Sequence, residues 1–249
     1  MAFLFCIFGF KPNIKKKFVL LSALLLFHKI IIGQSLTATQ LLEKSIAFHD
    51  PNGNWSTFNN VLHVTMTTPN APDRVSDITI NLPERFFQVK ASKDGVTSEY
   101  TIDKGKCSIK LNGKSNPTEE ELKTHNLSCE RANMYKNYYT YLYGLPMKLK
   151  DNGTIIHEIV NKKTFKGKTY LTLKVTYNKA VGNDTWYFYF NPKTFALEIY
   201  QFFHNEAKND GEYILLSGME SINGINMPKV RAWYTNKDHK YLGTDTIVK

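Results

Sequence analysis

His49 stands beside Asp50, and His204 lies two residues before Glu206. An imidazole close to a carboxylate is the minimum for a general base or for the start of a metal site. On a strand, positions 204 and 206 share a face, so that pair could supply two ligands, but a site needs further groups converging in space. The plainer reading is a hydrogen-bonded histidine at a strand end. Asp50-Pro-Asn-Gly-Asn54 has the oxygen spacing of a cation loop but lacks the later glycine and glutamate of a calcium site, so turn chemistry accounts for it. Asp210-Gly-Glu212 is likewise a turn. Arg231, Trp233, Asp238, His239 and Asp245 gather near the C-terminus and read as solvated edges and loop tips, with Arg231 able to meet an anionic head group. Gly-x-Ser-x-Gly, His-Glu-x-x-His, Cys-x-x-Cys and a phosphate-cradling glycine loop do not occur. No cofactor and no metal are expected.

Aromatic side chains are the other conspicuous group, at 13% of the sequence with 14 Tyr and 16 Phe. Tyr135, Tyr138, Tyr139, Tyr141 and Tyr143 cluster in one short segment, and Trp186-Tyr-Phe-Tyr-Phe190 places rings on both faces of one strand. Such rings can line a ligand cavity, with tyrosine hydroxyls orienting a polar head group, or simply pack a core. Asn54, Asn126, Asn152 and Asn183 open Asn-x-Ser/Thr triplets, which matter only in a eukaryotic secretory route.

The elements that must position these residues follow from periodicity. Thr37-Ala-Thr-Gln40 resembles a capping box, with Leu41, Leu42, Ser45 and Ile46 at helical spacing and His49-Asp50-Pro51-Asn52-Gly53 as a stop. Leu62, Val64 and Met66, then Ile78, Ile80 and Leu82, alternate as strands. Strands at 86–91, 96–102 and 106–111 follow, separated by the hairpin signals Asp94-Gly95 and Lys104-Gly105. Pro117-Thr-Glu-Glu-Glu-Leu122 starts a helical insertion that continues over 131–143, with Met134, Tyr138 and Leu142 on one side and Gly144 and Pro146 ending it. Strands resume at 155–160, 171–177, 186–190, 196–203, 212–217 and 229–234. The pattern predicts a single α+β domain dominated by antiparallel sheet, curled to protect its edges, which excludes Rossmann and (β/α)₈ chemistry.

Lys11, Lys15, Lys16 and Lys17 lead into the apolar run Phe18–Phe27, and His28 and Lys29 interrupt it before Gly33. A basic stretch, a short apolar run and a small residue describe a secretory signal. Residues 1–33 are therefore expected to be removed, leaving 34–249, with an uncleaved anchor as the alternative. The apolar patch over residues 1–10 would then reflect an over-extended start. Cys6 is not a lipoprotein cysteine, because Phe5 precedes it and no basic residue comes before it. The chain carries 32 basic and 22 acidic residues, but five of the basic ones fall in residues 1–33, so the remainder is only +5. Without a dense basic stripe, nucleic acid is not an expected partner. Cys107 and Cys129 remain, either as a disulfide suited to an oxidising compartment or as two buried thiols.

The early helix, the long-strand meander, the central helical insertion and the closing meander resemble the LolA-like fold, the half-barrel of periplasmic lipoprotein carriers. Asn137-Tyr-Tyr-Thr-Tyr-Leu-Tyr-Gly-Leu-Pro-Met-Lys-Leu149, Asp184-Thr-Trp-Tyr-Phe-Tyr-Phe-Asn-Pro192 and Gly211-Glu-Tyr-Ile-Leu-Leu216 are also similar to a family of secreted proteins from Bacteroidetes-type bacteria. The resemblance implies a strongly curved antiparallel sheet whose concave, apolar face is covered by helices. It implies an exported, monomeric protein of the periplasm or cell envelope of a Gram-negative bacterium. Such a protein would hold an apolar ligand or a lipidated protein without chemistry and without a membrane span in its mature part. On that reading the cavity residues are Leu62, Val64, Met66, Tyr138, Tyr141, Leu142, Leu145, Met147, Trp186, Phe188 and Phe203. The competing readings are a small-molecule hydrolase using His204 and Glu206 (or His49 and Asp50) and a structural envelope protein that binds other proteins.

Overall fold

The computed structural model describes residues 36–248; the expected export segment, residues 1–33, lies outside them. Helix α1, Ala38–His49, opens with the capping box: the Thr37 side chain accepts from the Gln40 N–H while the Gln40 side chain accepts from the Thr37 N–H. It buries Ala38, Leu41, Leu42 and Ser45 on one stripe. Five strands follow as a meander: β1 Asn59–Thr68, β2 Ala71–Asn81, β3 Phe86–Lys93, β4 Val96–Asp103 and β5 Lys106–Leu111. Asp94 and Gly95 both take positive φ, as do Lys104 and Gly105, the backbone that two-residue hairpins require.

The helical insertion comes next. The short α2, Glu119–Thr124, starts with a second capping box from Thr118 and Glu121, and α3 spans Cys129–Tyr143 behind an N-cap from Ser128. The remaining strands are β6 Thr154–Ile156, β7 Asn161–Phe165, β8 Lys168–Tyr177, β9 Thr185–Phe190, β10 Leu197–Phe203, β11 Glu212–Ile222, β12 Ile225–Thr235 and β13 Tyr241–Val248. All pair antiparallel into one open sheet ordered β5-β4-β3-β2-β1-β13-β12-β11-β10-β9-β8-β6, with β7 also on β8. The chain's two meanders therefore join at the centre through β1 and β13, and the helical insertion links the two outer edges.

That connection dictates the sheet's shape. Tyr135 of α3 meets Tyr100 on β4, and Tyr141 meets Trp186 on β9. The two tyrosines are separated along the helix by about 9 Å of rise. In a flat sheet β4 and β9 would stand about 38 Å apart. Strands eight places apart can approach one short helix only if the sheet curls strongly. The disulfide Cys107–Cys129 ties the start of α3 to the edge strand β5. Closing a loop of that length stabilises the fold by roughly 3 kcal/mol on the chain-entropy account.

The register shows which side chains share a face. Leu62 pairs with Ile78, Ile78 with Val89 and Val89 with Tyr100, all fully buried. On the other half Leu173, Phe188, Tyr200 and Ile214 form the equivalent row. Between them runs a row that the sequence pattern misplaces: Leu216, Arg231, Asp245, Met66 and Arg74 are successive cross-strand partners. Arg231 and Asp245, expected as solvated edges, are each 1% exposed. Strand β13, beyond the last strand the sequence pattern predicts, holds Asp245 inside because the alternation of β1 and β12 on either side puts that parity inward.

Two further differences concern the insertion and the edge. Of the expected packed side of α3, Leu142 is buried but Met134 is 53% exposed, and the helix buries Ala132, Tyr139 and Tyr143 in addition. The expected strand 155–160 stops at Ile156, and pairing to β8 resumes as β7 over the polar Asn161-Lys-Lys-Thr-Phe165, which an edge strand tolerates.

His49 is fully buried at the end of α1 and staples that helix to the sheet. Its Nδ1–H donates to the Asn226 carbonyl at 2.6 Å, and its Nε2 accepts the Leu197 N–H at 2.9 Å. Asp50 accepts the Asn54 and Trp55 N–H groups. Both members of the His49–Asp50 pair are thus committed to backbone. Burial lowers the His49 pKa to about 4, so the folded chain resists a proton that the unfolded imidazole takes up near 6.5. Its contribution is complete above pH 6.5 and is lost as the pH falls toward 4, by roughly 3 kcal/mol. Urea denaturation of the protein and of His49→Asn should show the wild-type stability falling more steeply over that interval; parallel curves would contradict the assignment.

Candidate functional site

A cleft of about 720 Å³ opens beside α3. Its helix wall is Tyr138, Tyr141 and Leu142, with Asn137 and Thr140 toward the rim. Opposite stand Trp186 of β9, Phe202 of β10 and Trp233 of β12, with Tyr177 at the end of β8. The loop after β8 closes one side through Ala180, Val181 and Gly182. The rings interlock: Tyr138 stacks on Trp233 at 6.0 Å, Trp186 on Phe202 at 4.9 Å, and the edge of Tyr141 meets Trp186 at 5.6 Å. The hydroxyls of Tyr141 and Tyr177 hydrogen-bond to each other. Burial raises the Tyr177 hydroxyl to about 12 and pushes Tyr138 and Tyr141 well above their ordinary value, so all three remain neutral hydrogen-bonding groups.

The rim is polar. Lys148 pairs with Asp151, and His204 Nδ1 lies 2.7 Å from Asp184 Oδ1. The hydrogen bond to Asp184 raises the His204 pKa, opposed by a smaller desolvation cost. Glu206 turns away from the cleft: it accepts from Lys174 at 2.7 Å and from the Tyr187 hydroxyl at 2.6 Å. His204 and Glu206 therefore have different partners. Strand β10 ends at Phe203, and the one-turn helix Glu206–Lys208 breaks the parity that would have aligned them. Among the described residues, no three His, Cys, Asp or Glu side chains converge as metal ligands.

Of the cavity residues expected from sequence, the cleft gathers Tyr138, Tyr141, Leu142 and Trp186. Leu62, Val64 and Phe188 are buried within the sheet rows, Met66 lies on the charged row, and Leu145 and Met147 are buried just beyond α3. Phe203 packs on Tyr187, on the opposite face from Phe202. The cleft's Phe202, Trp233, Tyr177 and Val181 escaped the sequence reading. Phe202 could have been found by carrying the parity of Trp186 across the β9–β10 hairpin, because those two residues are cross-strand partners.

Behind Tyr138 the charged row meets the helix. The Tyr138 hydroxyl donates to Asp245 Oδ2 at 3.3 Å, Arg74 Nη2 donates to the Tyr139 hydroxyl at 2.9 Å, and the Arg231 guanidinium lies 3.8 Å over the Tyr143 ring. Arg231 also donates to the Pro228 carbonyl at 2.8 Å. Burial raises the Asp245 carboxyl, and the two arginines oppose that rise.

Residues 15–249 match the family described as a family of unknown function, DUF6503, and the chain belongs to that family. No curated protein matches it significantly. Among solved structures it is similar to a LolA superfamily protein from Nitrosomonas europaea, at 11% identity with a TM-score of 0.51, over 86% of this chain and 93% of that one. It is also similar to a putative outer membrane lipoprotein-sorting protein domain from Vibrio parahaemolyticus, at 9% identity with a TM-score of 0.50, over 85% and 92%. At such identities the likeness shows the fold, which is LolA-like. No helix among the described residues is long and apolar enough to cross a membrane.

The Asp184–His204 pair offers a direct check on the rim. In a proton NMR titration the His204 imidazole should titrate above 6.5, and Asp184→Asn should bring its midpoint down. A midpoint that Asp184→Asn leaves in place would show that the contact does not persist in solution.

Proposed function

We propose that this protein is an exported, non-enzymatic carrier that holds an acyl chain or similar apolar ligand, free or attached to a protein, between α3 and the curled sheet. The observation that carries this reading is the ring-lined cleft of about 720 Å³, within the range of ligand sites, apolar inside and polar at its rim. The LolA-like fold supports it, as does the likeness to the putative outer membrane lipoprotein-sorting protein domain from Vibrio parahaemolyticus. On this reading residues 34–249 form one half-barrel domain, with the helices over its concave face, acting in the periplasm or cell envelope after loss of residues 1–33. Tyr138, Tyr141, Leu142 and Trp186 contact the ligand. Leu62, Val64, Met66, Leu145, Met147 and Phe188 back it from the interior.

Entry requires α3 or the loop around Val181 to yield. That loop is the softer side: Val181 is exposed, and Ala180 and Gly182 flank it with little side chain to hold it. The ligand's affinity would come from apolar area, about 0.8 kcal/mol for each buried methylene before ordering costs.

Native mass spectrometry of the protein purified from its own envelope, followed by solvent extraction, should release a discrete mass that behaves as lipid. Titration with a saturated fatty-acid series should then show affinity rising about two- to fourfold per added methylene until the cleft is full. His204→Ala should leave occupancy within about twofold, whereas a catalytic imidazole would cost orders of magnitude in turnover. An apo mass together with no uptake across the series would defeat the carrier reading in favour of a structural role.

A further inference from the structure

On the other flank of α3 a second cavity of about 360 Å³ lies among β2, β3, β4 and the start of the helix. Its lining carries three permanent cations, Arg74, Lys93 and Arg131, against the single acid Asp94. The two guanidinium groups both stand on Tyr135, with Arg74 Cζ 5.8 Å and Arg131 Cζ 5.6 Å from the ring centroid. Tyr100 packs against that ring at 5.5 Å and Tyr139 at 6.0 Å, so the platform between the arginines is fixed by α3 and β4 together.

Neither arginine is ion-paired with a carboxylate among the described residues. Glu99 is committed to Lys110 and Asp77 to His63, while Asp245, the acid whose charge reaches Arg74, accepts from the Tyr138 hydroxyl and lies outside this cavity's lining. Arg74 spends one N–H on the Tyr139 hydroxyl, Arg131 makes a long 3.5 Å bond to the Tyr135 hydroxyl, and Arg74 Nε is buried with no hydrogen-bond partner. Two like charges held over one ring repel each other unless an anion bridges them. A guanidinium presents its N–H groups as a fork matched to the oxygens of a phosphate. The net charge of the lining, +2 with His125 neutral, complements a phosphate monoester, which carries roughly −1.5 to −2 at neutral pH.

We propose that this cavity is a phosphate-binding site, with Arg74 and Arg131 clamping the oxyanion across Tyr135 and Lys93 completing the charge. The phosphate can be free or can be the head group of a single-chain lipid. The site stands apart from the ring-lined cleft, whose lining shares no residue with it.

Calorimetric titration at low salt separates these sources and leaves the cleft reading out of the result. Inorganic phosphate, lysophosphatidic acid and the uncharged monoacylglycerol of the same chain are each titrated into the purified protein. Arg131→Gln should weaken phosphate about tenfold or more, and Lys93→Gln should weaken it by a smaller factor. Lys162→Gln, which removes an equal charge from β7, should change it less than twofold. Saturable phosphate binding with that order of effects supports a free-oxyanion site. Preference for lysophosphatidic acid over monoacylglycerol, lost in Arg131→Gln, supports a head-group site. Equal weakening by Arg131→Gln and Lys162→Gln, or no saturable binding of phosphate combined with no preference between the two lipids, overturns the proposal. Monoacylglycerol binding, whatever its strength, reports on the cleft alone.

Discussion

Tyr138, Tyr139 and Tyr143 lie where a row of charge crosses the middle of an otherwise apolar sheet face, and the fold depends on what they do there. Arg231, Asp245 and Arg74 would each carry a heavy desolvation cost if they faced hydrocarbon. Tyrosine answers this because its ring is apolar and its end is polar. From one helix the three residues place a donor on Asp245, an acceptor on Arg74 and a ring face under Arg231. The same helix must reach β4 on one side and β9 on the other, which forces the sheet to curl. The charged row thus fixes where α3 sits, and α3 fixes the curvature.

That arrangement leaves a cavity on each flank of the helix, with different chemistry. Toward β8–β12 the rings of Trp186, Phe202 and Trp233 set an apolar floor, and polarity is confined to the rim. Toward β2–β4 the lining is cationic and the rings serve as a platform for arginine. The row between them satisfies its charges only in part: Arg231 Nε and Asp245 Oδ1, like the Tyr143 hydroxyl of the helix that covers them, have no hydrogen-bond partner among the described residues. Buried groups of this kind are costly and bind the helix to one position. On the carrier reading proposed above, motion for ligand entry is therefore cheapest at the Val181 loop, away from the row.

Much of this architecture was legible in the sequence, for physical reasons. The capping box at Thr37 and the hairpins at Asp94-Gly95 and Lys104-Gly105 are local signals, so they survive without tertiary context. The α+β class dominated by antiparallel sheet followed from a long run of alternating segments around one helical insertion. What was hidden depends on neighbours far away in sequence. Asp245 looks like a surface acid until β1 and β12 flank it and set its parity. Phe203 and Phe202 are indistinguishable by type, and only the pairing of Phe202 with Trp186 decides which faces the cleft. Met134 looked as buried as Leu142, because a helix this rich in tyrosine has no single apolar stripe.

On the proposed reading an acyl chain lies between α3 and the floor formed by Trp186 and Trp233, and the protein's three tryptophans make this testable. Trp55 is buried outside the cleft, against Phe58. Titration with a bromine-labelled stearate, which quenches indole emission on contact, should quench the protein saturably. The quench should vanish when Trp186 and Trp233 are both replaced by Phe, leaving Trp55 emission unchanged. Quenching that persists in that double variant, or none in the wild type at saturating ligand, would contradict that placement of the acyl chain.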